Sequence, residues 1–148
     1  MPKIRKIFMD TSVVFAAVLS PTGGARKLFQ LGEARILRLC IGQNVLRECE
    51  TVVRRKASAS LPILAQLLEI SRVETSPAPT RAQIETARSI VCYEPDAHVL
   101  AEAISAEPDW FVTHDKEHFL KGIHISSLAF RVGTPGDLIQ SLKDDFTF

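Results

Sequence analysis

Short, uninterrupted apolar runs alternate along this chain with longer segments whose apolar residues recur at helical spacing. The first run, Ile7 to Met9, contains no polar residue and stops at Asp10. Such a run is typical of a strand that is buried on both faces of a parallel sheet. Because parallel neighbours are joined by crossover connections, usually helices, the alternation predicts an α/β fold with a central, mainly parallel sheet.

The same patterns predict four to five strands and the helices that connect them. Strands are expected over residues 7–9, 36–41, 70–74, 110–112 and, more weakly, 127–132. Helices are expected over residues 13–19, 25–32, 43–56, 60–68, 81–91 and 135–142, with one more opening at Asp96 and ending at Pro108. The prediction is one three-layer α/β/α domain spanning residues 1–148.

Composition and charge exclude several classes of protein. Apolar residues make up 46% of the chain and charged residues 24%, which is typical of soluble globular proteins and excludes a disordered chain. The 18 basic and 17 acidic side chains nearly cancel, so no broad cationic coat for nucleic acid is expected. No apolar stretch approaches the length of a membrane span, and the first run is too short for a signal peptide.

The chain has three cysteines, Cys40, Cys49 and Cys92. Their number is odd, they lie among apolar neighbours, and their spacing does not suit a zinc site. We therefore expect reduced thiols in the core of a cytoplasmic protein.

Four carboxylates, distant in sequence, stand where an apolar segment begins, ends or turns polar: Asp10, Glu48, Asp96 and Asp115. Asp10 and Asp115 follow predicted strands, so they share the carboxyl edge of the sheet, where sites form in open parallel sheets. Asp96 would reach the same crevice from the start of its helix, after Pro95. Because buried carboxylates lose hydration and repel one another, such a cluster requires a cation such as Mg²⁺.

Periodicity leaves one member of this cluster open. Glu48 and Glu50 flank opposite sides of the apolar arc of the helix over residues 43–56, and the pattern does not choose between them. Asp109 is excluded, because it precedes the strand over residues 110–112 and therefore lies at the opposite edge of the sheet.

The order and spacing of these residues resemble those of PIN domains, metal-dependent ribonucleases that include the VapC-like toxins of prokaryotic toxin–antitoxin pairs. The resemblance rests on Phe8-Met9-Asp10-Thr11-Ser12, Val45-Leu46-Arg47-Glu48, Pro95-Asp96 with Val99, Leu100 and Ala103, Phe111-Val112-Thr113-His114-Asp115-Lys116, and a closing segment over residues 131–142. Two departures concern the fine metal stoichiometry: Ser12 stands where many relatives carry asparagine, and Glu94 is the one candidate for a second acid beside Asp96.

The resemblance implies an endoribonuclease that hydrolyses RNA phosphodiester bonds with Mg²⁺ or Mn²⁺. It selects Glu48 over Glu50, and Thr113 and Ser12 would supply hydroxyl donors to the carboxylates or to a phosphate. The metal ligands that the resemblance implies are Asp10, Glu48, Asp96 and Asp115. The implied catalytic residues are these four together with Thr113. One ion and a pair of ions both remain open.

The resemblance also implies partners: an RNA substrate, a cognate antitoxin protein covering the acidic pocket, and a second copy of the chain in a homo-oligomer such as a dimer. No membrane partner is expected. The basic run Arg54-Arg55-Lys56, with Lys116, would contact RNA if it rims the pocket, and is otherwise the solvated end of a helix.

Other functions fit the sequence less well. A dehalogenase-like phosphatase normally carries a second Asp where Ser12 stands, and a receiver domain requires an acidic pair after the first strand. A zinc site at His114 and His118 lacks further ligands. The main alternative is a non-catalytic PIN-like RNA-binding or scaffold protein.

Overall fold

The fold is a parallel β-sheet covered by helices, seen in a computed structural model that describes residues 3–115, 119 and 128–145. The strands of the sheet are β1 (Arg5–Met9), β2 (Leu37–Ile41), β3 (Glu74–Thr75), β4 (Trp110–Val112) and β5 (Arg131–Gly133). Their order is β3-β2-β1-β4-β5, and every neighbouring pair is parallel. The predicted α/β class and parallel sheet are confirmed.

Helices follow the strands β1, β2, β3 and β5 along the chain. They are α1 (Thr11–Leu19), α2 (Gly24–Glu33), α3 (Gln43–Lys56), α4 (Leu61–Ile70), α5 (Arg81–Ile90), α6 (Glu94–Ala106) and α7 (Pro135–Asp145). The crossovers through α1–α2 and α3–α4 run in one direction across the sheet, and the crossover through α5–α6 runs back. Because parallel crossovers are right-handed, the two groups of helices cover opposite faces, which gives three layers. Contacts of α1 with α2 and α3, and of α5 with α6, agree with this arrangement.

The core is centred on the two middle strands, β1 and β4. The rings of Phe8 and Phe111 stack across these strands with their centroids 5.6 Å apart, and Phe119 packs on Phe111 at 4.8 Å. Trp110 and Phe29 are also buried, as expected for core aromatics. Ile7–Met9 and β4 are buried throughout, which explains why these two segments contain no polar residue.

Two predicted boundaries are wrong. The helix expected to open at Asp96 begins at Glu94, because Pro95 is accepted in the first turn, where its missing N–H has no helical partner. The strand expected over residues 70–74 is only Glu74–Thr75. α4 continues through Ile70, and the chain then turns at Arg72, whose φ is 52°.

The last strand and one cysteine also differ from expectation. β5 begins at Arg131, later than predicted, while residue 127 lies outside the described residues. Cys40 and Cys49 are buried thiols, but Cys92 is exposed because it lies in the connection between α5 and α6. None of the helices in the described ranges combines the length and the apolar character that crossing a membrane requires.

Candidate active site

The sheet changes direction between β1 and β4, and the crevice outside such a switch point is where open α/β sheets bind ligands. Met9 is in register with Val112, and the next residue, Asp10, donates its backbone N–H to the carbonyl of Val112 at 3.2 Å. Thr113 therefore stands beside Asp10 at the carboxyl edge of the sheet.

Asp10 is a buried carboxylate held by three donors. It forms the N-cap of α1, accepting from the backbone N–H of Val13 at 3.3 Å, and it accepts from the hydroxyls of Ser12 at 2.5 Å and of Thr113. Only 6% of the residue is exposed. Burial raises the pKa of Asp10, and the hydrogen bonds from Ser12, Thr113 and Val13 offset part of that effect. A nearby cation would stabilise this carboxylate.

The hydroxyls of Ser12 and Thr113 also fix the chain that follows β4. Ser12 Oγ accepts from the backbone N–H of His114 at 3.0 Å, and Thr113 Oγ1 accepts from that of Asp115 at 2.9 Å. Thr113 itself is fully buried. The backbone of Asp115 is therefore tied to Asp10 through the Thr113 hydroxyl, while the Asp115 side chain reaches the exposed surface.

Glu48 is exposed on α3, which packs against α1. Cys49, the next residue of α3, has a fully buried thiol. Burial, followed by the charge of Glu48, raises the pKa of Cys49 to about 12, and Asp10 and Glu50 add smaller effects. The charges of Glu48, Asp10 and Glu50 thus all act on this thiol, and the structure does not choose between Glu48 and Glu50 as the site residue.

Asp96 lies in the first turn of α6 and is partly buried. Within the described part of the chain, no group of three or more His, Cys, Asp or Glu side chains is close enough to hold a metal ion. The structure thus joins Asp10 and Thr113 directly, but it does not draw the four predicted acids into one ligand set. Lys116 and His118, named as a pocket rim and as a zinc alternative, lie outside the described residues.

Two further acids have structural partners. Glu94 accepts from the guanidinium of Arg88 at 2.6 and 2.9 Å and lies 3.3 Å from His98 Nε2, and the bond from Arg88 lowers the pKa of Glu94. Asp109 accepts from the backbone N–H of Lys6 at 2.8 Å, at the amino edge of the sheet. Asp109 therefore lies at the edge of the sheet opposite Asp10, as predicted.

Glu102 is a buried acid that sequence analysis did not single out. It lies on α6 with 3% of its surface exposed, and its Oε2 accepts from the backbone N–H of Asn44 at 2.9 Å. A Cβ on Gly42 would come within 2.2 Å of this carboxylate, so a larger residue there would have to displace the end of the Glu102 side chain. One signal was available, because Glu102 follows Val99 by three residues and therefore belongs to the apolar stripe of the helix.

Comparison with known families matches residues 6–117 to a model described as PIN domain. The chain therefore belongs to the PIN domain family. PIN domains are generally nucleases and typically use divalent metals. The matched segment runs from β1 to just beyond β4 and includes Asp10, Glu48, Asp96, Thr113 and Asp115. A comparison with curated proteins finds no match.

Proposed function

We propose that the protein is a metal-dependent endoribonuclease that hydrolyses RNA phosphodiester bonds, and that it acts as the toxin of a toxin–antitoxin pair. The observation that carries the nuclease proposal is the buried carboxylate of Asp10, which stands at the switch point of a PIN domain with hydroxyls on both of its oxygens. Burying a charge without a counter-charge lowers stability, so this position favours a cation as partner.

The donors present suit a hard cation. Every proposed ligand supplies carboxylate oxygen, which is the donor that Mg²⁺ and Mn²⁺ prefer. The ligand set would be Asp10, Glu48, Asp96 and Asp115. When bound, the ion would lower the pKa of a coordinated water and neutralise phosphate charge.

The protein's own groups would orient the reactants. Ser12 and Thr113 hold the Asp10 carboxylate in one orientation, which reduces the rearrangement needed on binding. Thr113 also fixes the backbone from which Asp115 extends. Glu48, on the exposed side of α3, would accept a proton from the attacking water.

The toxin role, the antitoxin and a dimer rest on the motif resemblance, as does a cytoplasmic location. In that role, an antitoxin arginine would fit the acidic crevice through charge-assisted hydrogen bonds. A non-catalytic RNA-binding or scaffold protein is the second candidate. The cost of burying the Asp10 carboxylate, which its hydrogen bonds offset only in part, disfavours the scaffold.

Glu48 and Glu50 offer a matched pair for testing the proposal. With Mn²⁺ present, we expect the wild-type protein to cleave a pool of single-stranded RNA and to stop when EDTA is added. Glu48→Gln should reduce the cleavage rate by about 100-fold or more, because a general base typically contributes 10²–10⁴-fold. Glu50→Gln removes the same charge from the same helix and should leave the rate within about twofold. The rates are measured on end-labelled RNA separated by electrophoresis.

Two outcomes would contradict the proposal. If wild-type protein at millimolar Mn²⁺ or Mg²⁺ leaves the RNA pool intact, the scaffold alternative is favoured. If the two glutamine variants lose the same activity, the role given to Glu48 is wrong.

A further inference from the structure

The buried carboxylate of Glu102 joins two helices that carry separate parts of the proposed site. Glu102 belongs to α6, the helix of Asp96, and its carboxylate accepts the backbone N–H of Asn44 in the first turn of α3, the helix of Glu48. α3 and α6 are in direct contact. Glu102 therefore links the two helices from which Glu48 and Asp96 extend.

The hydrogen bond from Asn44 to Glu102 lies close, along both helices, to two of the proposed metal ligands. Glu48 follows Asn44 by four residues, so it lies one turn further along the same side of α3, about 6 Å from the point that Glu102 holds. Asp96 precedes Glu102 by six residues, or about 9 Å along α6. A shift of the α3 terminus against α6 would therefore change the separation of Glu48 and Asp96 directly.

The start of α3 leaves space and an unpaired backbone N–H for the Glu102 carboxylate. α3 has no side-chain N-cap, because Gly42 occupies that position, and Glu102 supplies the acceptor instead. A negative charge at this end of the helix is also favoured by the helix dipole. The φ of Gly42 is −86°, which any residue can adopt, so a larger residue there is opposed by the close approach of the Glu102 carboxylate and not by backbone strain.

We propose that Glu102 is a positioning residue that clamps the amino end of α3 to α6 and thereby sets Glu48 and Asp96 at the separation required for binding one divalent cation. This inference rests on the proposed function and adds a residue to it. Glu102 does not touch the cation. It acts through the backbone of Asn44, one helical turn before Glu48.

The test measures Mn²⁺ binding directly, by electron paramagnetic resonance titration of free Mn²⁺, together with the melting temperature in EDTA. Glu102→Ala should raise the dissociation constant for Mn²⁺ by about 10-fold, the lower end of the 10–100-fold cost of losing a group that hydrogen-bonds a metal ligand, because Glu102 acts on the helix and not on the ligand itself. Glu102→Gln keeps the shape and one acceptor, so it should fold like the wild type and raise the constant by a smaller factor.

Ser71→Ala is the matched control. Ser71 is buried and donates to the carbonyl of Phe29 at 2.9 Å, so its replacement also removes one buried hydrogen bond, but that bond links the end of α4 to α2 and does not involve α6. It should lower the melting temperature by a comparable amount and leave the Mn²⁺ dissociation constant unchanged. This comparison separates positioning from a general loss of stability.

Gly42→Ala tests the contact itself. Its Cβ would displace the Glu102 carboxylate, so the single variant should weaken Mn²⁺ binding much as Glu102→Ala does. In the Glu102→Ala background the space is free, and Gly42→Ala should then add little to either readout, which is the non-additivity expected of touching residues.

The outcomes distinguish the two proposals. Absence of Mn²⁺ binding by the wild-type protein would overturn the proposed function and this inference with it. If the wild-type protein and Glu102→Ala bind Mn²⁺ with the same dissociation constant, only the positioning role of Glu102 would be overturned. Additive effects of Gly42→Ala and Glu102→Ala would likewise refute the clamp.

Discussion

Replacing Asp10 by alanine is expected to abolish metal-dependent RNA cleavage, with a loss of at least about 1,000-fold. A metal ion contributes several kcal/mol of transition-state stabilisation, and each ~1.4 kcal/mol is a factor of ten in rate. Asp10 is the most buried of the four proposed ligands and the one held by both site hydroxyls. The cleavage rate is measured on labelled single-stranded RNA, and folding is checked by circular dichroism.

Asp109→Ala provides the control for this variant. Asp109 also supports the backbone through a hydrogen bond, from Lys6, but at the opposite edge of the sheet. Both variants should lose a comparable amount of stability, because each removes a carboxylate that accepts a backbone N–H. Only Asp10→Ala should lose cleavage. Equal activity in Asp10→Ala and the wild type would trace the cleavage to a contaminating nuclease.

Asp115→Asn is expected to abolish the stabilisation that Mn²⁺ or Mg²⁺ gives to the wild-type protein. A ligand that binds only the folded state at 100 times its dissociation constant contributes about 2.7 kcal/mol, which raises the melting temperature of a domain of this size by roughly 5–10 °C. Because the Asp115 side chain is exposed, the variant should melt like the wild type in EDTA. Melting curves across a series of metal concentrations measure both effects.

Glu50→Gln, which also neutralises an exposed acid, should keep the full response to metal. A wild-type melting temperature that stays flat up to millimolar metal would count against the site. If metal raises the melting temperature of Asp115→Asn as much as that of the wild type, Asp115 is not a metal ligand.

The strands and the long helices could be predicted because their patterns are local. The limits of β4 and α3 coincide with the predicted ranges 110–112 and 43–56, since a fully buried strand and a one-sided helix leave distinct periods in sequence. The neighbourhood of Asp10 and Thr113 also followed from sequence. This prediction required only that Asp10 and Thr113 each follow a parallel strand at the carboxyl edge of the sheet.

The remaining errors and omissions come from tertiary contacts. Pro95 is compatible with a position just before a helix and with a position in its first turn. The sequence therefore did not decide whether α6 begins at Glu94 or at Asp96. The partner of Glu102 lies 58 residues away at Asn44, a contact that helical spacing cannot reveal. Glu48 and Glu50 stay indistinguishable by pattern, because both are exposed on α3 and only the motif resemblance separates them.

The central claim is that Asp10, Asp96 and Asp115 converge on one divalent ion at the carboxyl edge of the sheet. A crystal structure of the wild-type protein grown with Mn²⁺ and measured for anomalous scattering tests it most directly. We predict an anomalous peak at about 2.1–2.2 Å from a carboxylate oxygen of Asp10, with Asp96 and Asp115 as further ligands, directly or through water. A fully ordered crevice without a peak, or with these three side chains directed into separate regions of solvent, would contradict the account.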